Sequence, residues 1–299
     1  MLKIKAPASS ANLGPGFDCL GLALDLYNTF DVETCQQDRL ENVEERFNNS
    51  DNLFLQAYHY GMTKIGIEDG IHAVFHCDIP VSRGLGSSAS MITAGLCAAS
   101  ALHHDALSEN EIFQYASQLE GHPDNAAPCF FGGLTASTEF KDRYVSHHLS
   151  LQEDLYFTVL IPDFEVSTEE ARAILPESYP REVAAANGGR LLYMCEGLRT
   201  GSLSLLQIGA RDALHEPYRR QLIPGFDTIK ELTERESHGI LLISGSGSTC
   251  LLISKIPLSE TVRCRIAQIK DHHWQIKELR PAIGTEIEGD RECHLIIYL

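Results

Sequence analysis

Residues 2–6 alternate apolar and polar side chains, which predicts an opening strand. A second apolar stretch at 22–32, strand-like towards Phe30 and Val32, is placed to pair with it. Between them, residues 7–21 are dense in turn formers and show no period. That predicts a long loop, and long loops near the start of a compact domain tend to carry function. Residues 34–52 are polar and charged, a solvated connection, whereas 53–65 space Leu53, Ala57 and Tyr60 as a helix would, with Ser50 or Asn52 as its cap. Alternation returns at 71–79 as a strand that feeds a glycine–serine stretch and then a run of small residues at 90–101, read as a helix. Ser108-Glu-Asn-Glu111 has the capping-box pattern and starts a helix with Ile112, Tyr115, Ala116 and Leu119 on one face, ended by Gly121. Residues 122–133 read as a polar loop running into an apolar, glycine-ended segment.

The charged, unpatterned residues 139–153 mark a boundary, dividing the chain into 1–153 and 154–299. A buried strand at 156–161 opens the second part. Ser167-Thr-Glu-Glu170 caps a short helix that carries Arg172 and stops before Pro176. One or two helices follow at 182–208 and another at 225–236. Residues 239–254 are two apolar strands joined by a Gly/Ser loop, and a helix at 259–270 and a strand at 274–279 complete an α+β unit.

The 299 residues, 43% hydrophobic and 22% charged, fit a soluble globular protein with no span for a membrane and no visible signal peptide. A net charge of −17 argues against nucleic acid as a partner, since that binding rests on Lys and Arg. It also means that a bound polyanion needs local help, most simply Mg²⁺. The nine cysteines are scattered without a C-x-x-C pair, so most are expected as small buried residues of a protein in a reducing compartment. The thirteen histidines show no metal-binding spacing.

Pro80-Val-Ser-Arg-Gly-Leu-Gly-Ser-Ser-Ala-Ser90 is the candidate phosphate site. Glycines let the backbone approach a ligand, and a helix starting just after them points unpaired N–H groups and a positive dipole end at it. A Walker A loop is excluded because no lysine follows Gly84 or Gly86. The dinucleotide fingerprint is formally met by Gly84, Gly86 and Ala89, with Asp105 about twenty residues on as the acidic partner. Asp105 leads into a helix instead of closing a strand, which weakens that alternative. Glu120, at the C-terminal end of its helix, is at the wrong pole of the dipole for a carboxylate, and a bound cation would relieve the conflict.

Together with two further stretches in order, this loop resembles the GHMP small-molecule kinases. Lys5-Ala-Pro-Ala-Ser-Ser-Ala-Asn-Leu-Gly-Pro-Gly-Phe-Asp18 is similar to their N-terminal motif and Ser244-Gly-Ser-Gly-Ser-Thr249 to their C-terminal one. Glu120-Gly-His-Pro-Asp-Asn-Ala-Ala-Pro128, Ser167-Thr-Glu-Glu-Ala-Arg172 and His215-Glu-Pro-Tyr-Arg219 resemble the homoserine kinase branch. The resemblance implies an α+β, two-domain fold: an N-terminal ribosomal-S5-like domain with a left-handed crossover and a C-terminal ferredoxin-like domain. It implies an ATP- and Mg²⁺-dependent cytoplasmic phosphotransferase of L-homoserine, serving threonine biosynthesis, and it suggests a homodimer. Pro80, Arg83, Gly84, Leu85, Gly86, Ser87, Ser88, Ala89 and Ser90 would surround the phosphates, with Asn52 on the adenine. Ser88 and Glu120 would hold Mg²⁺. Arg172 and Arg219 would bind the substrate carboxylate, Asp18 and Asn12 its ammonium, and His122 and Asn125 its hydroxyl, with Gly245 nearby. An amide cannot act as a base, so the expectation is transfer without one, Asp124 being the rival. The competing readings are a kinase for another small alcohol such as mevalonate, a NAD(P) oxidoreductase, and a binding protein without catalysis.

Overall fold

The computed structural model describes residues 1–269 and 272–289. Its first sheet is built on a long hairpin of β1 (Leu2–Ala11) and β2 (Leu20–Cys35), with β4 (Gly70–Cys77) against β2 and β3 (Arg39–Glu41) parallel on the outer edge of β4. Between them runs α1 (Leu53–Ile65), capped by Asn52, whose Oδ1 accepts from the amides of Phe54 and Leu55. Then come α2 (Ser87–Ala101), α3 (Glu109–Glu120), α4 (Pro123–Phe131), β5 (Leu134–Glu139) and β6 (Tyr144–Leu149).

Three segments differ from their expected form. The loop at 7–21 shrinks to 12–19, because β1 continues to Ala11 against residues 21–24 of β2. No hydrophobic period marks 8–11, since Ala8, Ser9, Ser10 and Ala11 are all fully buried and small. Helices α2 and α4 pack on β1, and small residues permit that approach. The expected polar loop at 122–133 is helix α4, with Pro123 in its first turn, where a missing N–H costs nothing. The unpatterned 139–153 holds much of the β5–β6 hairpin, whose mostly exposed face needs no apolar alternation. The capping box of Ser108 and Glu111 forms as expected.

The second sheet has the order β10-β7-β9-β8, all antiparallel. Its strands are β7 (Tyr156–Pro162), β8 (Ile240–Ile243), β9 (Cys250–Ser254) and β10 (Trp274–Leu279). Between β7 and β8 lie α5 (Thr168–Ala173), α6 (Arg181–Thr200), α7 (Leu203–Gly209), the one-turn α8 (Glu216–Arg219) and α9 (Phe226–Ser237); α10 (Glu260–Ala267) precedes β10. Read along the chain this is order 4-1-3-2, the ferredoxin-like arrangement. The helix expected to reach residue 270 ends at Ala267, and 270 itself lies outside the described residues.

Period-2 alternation assigns the faces of this sheet. Phe157, Val159, Ile161, Leu242, Leu251 and Ile253 pack with Leu20, Leu22, Leu24 and Leu85 of the first part. Leu160, Leu241, Ile243 and Leu252 pack with Phe226, Ile229, Val262 and Ile266 from α9 and α10. One apolar core thus joins the two sheets, which fixes their relative position and so fixes any cleft between them. The expected boundary at 153/154 falls in the link from β6 to β7. The last described strand, β11 (Glu286–Glu288), returns to pair with β1 in the first sheet. Cys97, Cys129 and Cys250 are buried, but Cys35, Cys77 and Cys264 are exposed, and Cys293 lies outside the described residues. Among the described residues no helix is long and apolar enough to cross a membrane.

Candidate active site

A cleft of about 520 Å³ is lined from both halves of the chain, by Asn12, Asp18, Gly84, Ser88, Glu120, Asn125, Arg172 and Arg219 among others. Its floor is the glycine loop. Gly84 and Gly86 have φ of +73° and +67°, the left-handed region that glycine adopts without strain. At Gly84 a Cβ would stand 2.2 Å from the carbonyl oxygen of Ser244, so the C-terminal glycine motif is pressed directly on the loop. The loop's carbonyls face away from the cleft into donors: Arg83 O accepts from Thr249 N, Leu85 O from Ser9 N and Gly84 O from the Ser244 hydroxyl. Gly86 offers α2 no side-chain cap. The first-turn amides of α2 therefore keep their donors for a ligand, at the positive end of the dipole.

Not every expected phosphate contact faces the cleft. Leu85, Ala89 and Ser90 are at most 1% exposed, and Ser90 accepts from Asn28 and donates to Ser87 O to brace the loop. Pro80 is not part of the lining. Arg83 lines it, but its guanidinium donates to the carbonyls of Pro162, Val81 and Asp163 and pairs with Glu165. It straps the loop to the end of β7. Asn52 also lines the cleft, yet its side chain caps α1 and donates to Phe47 O. Asp105, the acidic partner that a dinucleotide fold would need, is exposed beyond the far end of α2 and outside the lining.

At the start of α2 the Ser88 hydroxyl donates to Glu120 Oε1 at 2.6 Å. Burial pushes the Glu120 carboxyl above its ordinary range, a shift that Ser88 and His122 oppose and Asp124 reinforces. A carboxylate at a helix C-terminus, desolvated and held by one hydroxyl, is an oxygen donor set that suits a hard divalent cation, so these residues fit Mg²⁺. His122 Nδ1 is hydrogen-bonded to the buried Asp124 carboxylate. Burial works against charge on the imidazole, but Asp124 and Glu120 outweigh it and raise its pKa. Ser9 donates to Asn125 Oδ1 at 2.8 Å, which fixes the amide's orientation next to Gly86.

At the other end Asp18 and Arg172 form a two-pronged pair, at 3.1 and 2.8 Å. Arg219 is almost wholly buried, with Nε donating to Ala171 O and Nη1 to Gly245 O. Burial, with Arg172 nearby, lowers its pKa to about 10, which still leaves it charged near neutrality. The Phe17 ring lies beneath both guanidiniums, 5.7 Å from Arg172 and 5.1 Å from Arg219. Asn12, in a left-handed conformation, donates to Gly245 O and accepts from Asp18 N, so it shapes the 12–19 turn that presents Asp18.

The structure thus brings together Asn12, Asp18, Gly84, Gly86, Ser87, Ser88, Glu120, His122, Asn125, Arg172, Arg219 and Gly245. Sequence reading missed Phe17, Ser9 and the apolar end of the cleft formed by Val43, Phe47, Leu53, Phe75 and Met91. Ser9 and Phe17 stood inside a motif already singled out. In the polar stretch 34–52 only Asn52, which the resemblance put on the adenine, pointed to a wall, and Val43 and Phe47 gave no sign of one.

Residues 52–133 match the family model for the GHMP kinases N terminal domain. A homoserine kinase of Clostridium botulinum (strain ATCC 19397 / Type A) is 37% identical over 295 residues, covering 97% of this chain and 99% of that protein. The solved homoserine kinase from Cytophaga hutchinsonii ATCC 33406 aligns with a TM-score of 0.81 at 26% identity, covering 96% of this chain and 97% of that one. The Methanococcus jannaschii mevalonate kinase aligns with a TM-score of 0.71 at 16% identity over 94% of this chain and 98% of its own, a likeness of fold alone.

Proposed function

This chain belongs to the homoserine kinases of the GHMP superfamily, and we propose how its cleft divides the work of moving the γ-phosphoryl group of ATP onto the side-chain hydroxyl of L-homoserine. The adenine lies against Val43, Phe47, Leu53 and Met91, and the phosphates lie on the amides of Gly86, Ser87 and Ser88. Ser88 and Glu120 would hold Mg²⁺, which when bound neutralises phosphate charge. The amino-acid end is taken by Asp18, Arg172 and Arg219. The zwitterion's ammonium and carboxylate replace the two halves of the Asp18–Arg172 pair, each charge exchanging one partner for another. That paired acid and base, facing the Ser88–Glu120 corner across one cleft, is the observation that carries the reading.

The hydroxyl to be phosphorylated is aligned by His122 and Asn125, whose orientations Asp124 and Ser9 hold. Phosphoryl transfer depends mainly on positioning and electrostatic stabilisation. The hydroxyl proton passes to the γ-phosphate, and Asp124 serves to orient His122. Comparing kcat for Asp124→Ala and Asn125→Ala tests this: near-abolition in the Asp124 variant alone would make Asp124 the base. For the substrate, an ADP-release assay should show turnover of L-homoserine, with mevalonate and simple amino alcohols inactive. Turnover of mevalonate but not homoserine would remove the assignment of both arginines.

A further inference from the structure

One fully buried ionisable side chain has no task in that scheme yet touches both ends of the amino-acid site. His215, just before α8, has no exposure. Its Nε2 stands 2.8 Å from the carbonyl oxygen of Gly14, in the 12–19 turn, and its Nδ1 faces Nη1 of Arg219 at a long 3.4 Å. The Phe17 ring stacks on the imidazole at 5.3 Å, and the same ring underlies the Arg219 guanidinium. A carbonyl can only accept and a guanidinium can only donate. A single form of the ring satisfies both neighbours: the neutral imidazole with its hydrogen on Nε2. Burial, the largest influence, lowers the pKa of His215, and Arg219 acts in the same direction against Asp212, Gly14 and Asp18.

The backbone around the ring is independently anchored. The Asp212 carboxylate accepts from the amides of Leu214, His215 and Glu216, and Glu216 accepts from Ile243 N. These amide bonds hold α8 without the imidazole, whose Nε2 stands 3.7 Å from the Asp212 carboxylate, beyond hydrogen-bond reach, so its hydrogen-bonding atoms act on Gly14 and Arg219.

We propose that His215 is a positioning residue for the amino-acid substrate: a neutral imidazole bridge that ties the 12–19 turn, which carries Asp18, to Arg219. It sets the spacing between the group that takes the substrate ammonium and one that takes its carboxylate. This rests on the reading of Asp18 and Arg219 given above. The bridge makes the site selective for a ligand that bears both charges on one carbon.

Three variants separate the two arms of the bridge. His215→Gln places an amide at the Nε2 position, within reach of Gly14 O, but leaves nothing at the Nδ1 position that faces Arg219. His215→Asn places its amide at the Nδ1 position and does not reach Gly14, and His215→Leu fills neither with a polar atom. Steady-state kinetics with L-homoserine and ATP varied separately should show KM for homoserine rising about fivefold in the Gln and Leu variants, the scale of one lost hydrogen bond. KM for ATP and kcat should hold within about twofold, and His215→Asn should recover part of the loss. The bridge is refuted if homoserine KM does not move, or if the two KM values rise together, as a mere loss of packing would cause. If His215→Leu does not fold, the Gln and Asn pair still decides. Arg219→Ala in the same assay separates the premises. An unchanged homoserine KM there overturns the site reading and the bridge with it, whereas a raised KM with silent His215 variants overturns the bridge alone.

Discussion

Replacing Gly86 by alanine should damage the protein through one identifiable neighbour. The added Cβ would stand 2.0 Å from Ser9 Oγ and 3.1 Å from Asn125 Oδ1, at a residue whose φ is +67°. The left-handed backbone alone costs an L-residue about 1–2 kcal/mol. Moving the Ser9 hydroxyl aside also breaks its bond to Asn125, about 1 kcal/mol more. Gly86→Ala should therefore destabilise the fold by about 2–3 kcal/mol. In a Ser9→Ala background the oxygen and its bond are already gone, and the penalty should fall towards the backbone cost. Urea unfolding of the wild type, both single variants and the double variant closes the cycle, with an expected coupling of about 1 kcal/mol. Gly84→Ala is the contrast, because its Cβ would meet the backbone oxygens of Ser244 and Gly247 at 2.2 and 2.6 Å. No side-chain deletion relieves that. If Ser9→Ala and Gly86→Ala add within about 0.4 kcal/mol, the contact-based reasoning is wrong.

Glu216 is buried, and burial raises its carboxyl from 4.5 to about 8. The unfolded chain ionises it first, so its stabilising contribution is present below about 4.5 and is lost as pH climbs to about 8, at roughly 1.4 kcal/mol per pH unit. Glu216→Gln keeps an acceptor for Ile243 N and should gain melting temperature relative to wild type between pH 5 and 8; parallel curves would contradict this. Asp18→Asn should raise KM for homoserine by about tenfold or more with little change in KM for ATP, and should barely alter stability, since the pair with Arg172 is half-exposed. Ser88→Ala should shift the Mg²⁺ concentration for half-maximal rate upward, read from a magnesium titration at saturating ATP.

The second sheet was legible because β7, β8 and β9 are buried on both faces, and runs such as 240–243 and 250–254 read as strands once a Gly/Ser turn separates them. Helix α4 was hidden by its own start signals: Pro123 and Asp124 look like loop residues, yet proline in the first turn and an acid beside it are what a helix N-terminus favours. The continuation of β1 was hidden because tight packing against two helices selects Ala and Ser, which carry no period. In the cleft, Asp18, Glu120, Arg172 and Arg219, singled out by type and motif, are brought together in one lining. Arg83 and Asn52 show the limit of that method. Both lie in the lining, but a guanidinium engaged by three carbonyls and an amide committed to a helix cap serve the wall more than the ligand.

Charge decides how the nucleotide can enter such a wall. The cleft is lined by five carboxylates, Asp18, Glu44, Asp51, Glu120 and Asp124, against the three arginines 83, 172 and 219. Arg83 already pairs with Glu165 and Arg172 with Asp18. Arg219 is turned to the carbonyls of Ala171 and Gly245. Among the described lining residues, with His122 bonded to Asp124, no free side-chain cation therefore matches a triphosphate, in a protein whose net charge is already −17. The amides at the start of α2 supply partial charge only, equivalent to about half a unit. The phosphates must bring their counter-charge with them, and on the proposed assignment the desolvated Glu120 beside Ser88 would receive it. Calorimetry should accordingly show Mg·ATP binding at least about tenfold more tightly than ATP in EDTA, a difference of about 1.4 kcal/mol or more. Glu120→Gln should narrow the gap by weakening the magnesium complex alone. Equal affinity with and without magnesium would mean that the loop amides suffice and that Glu120 has another purpose.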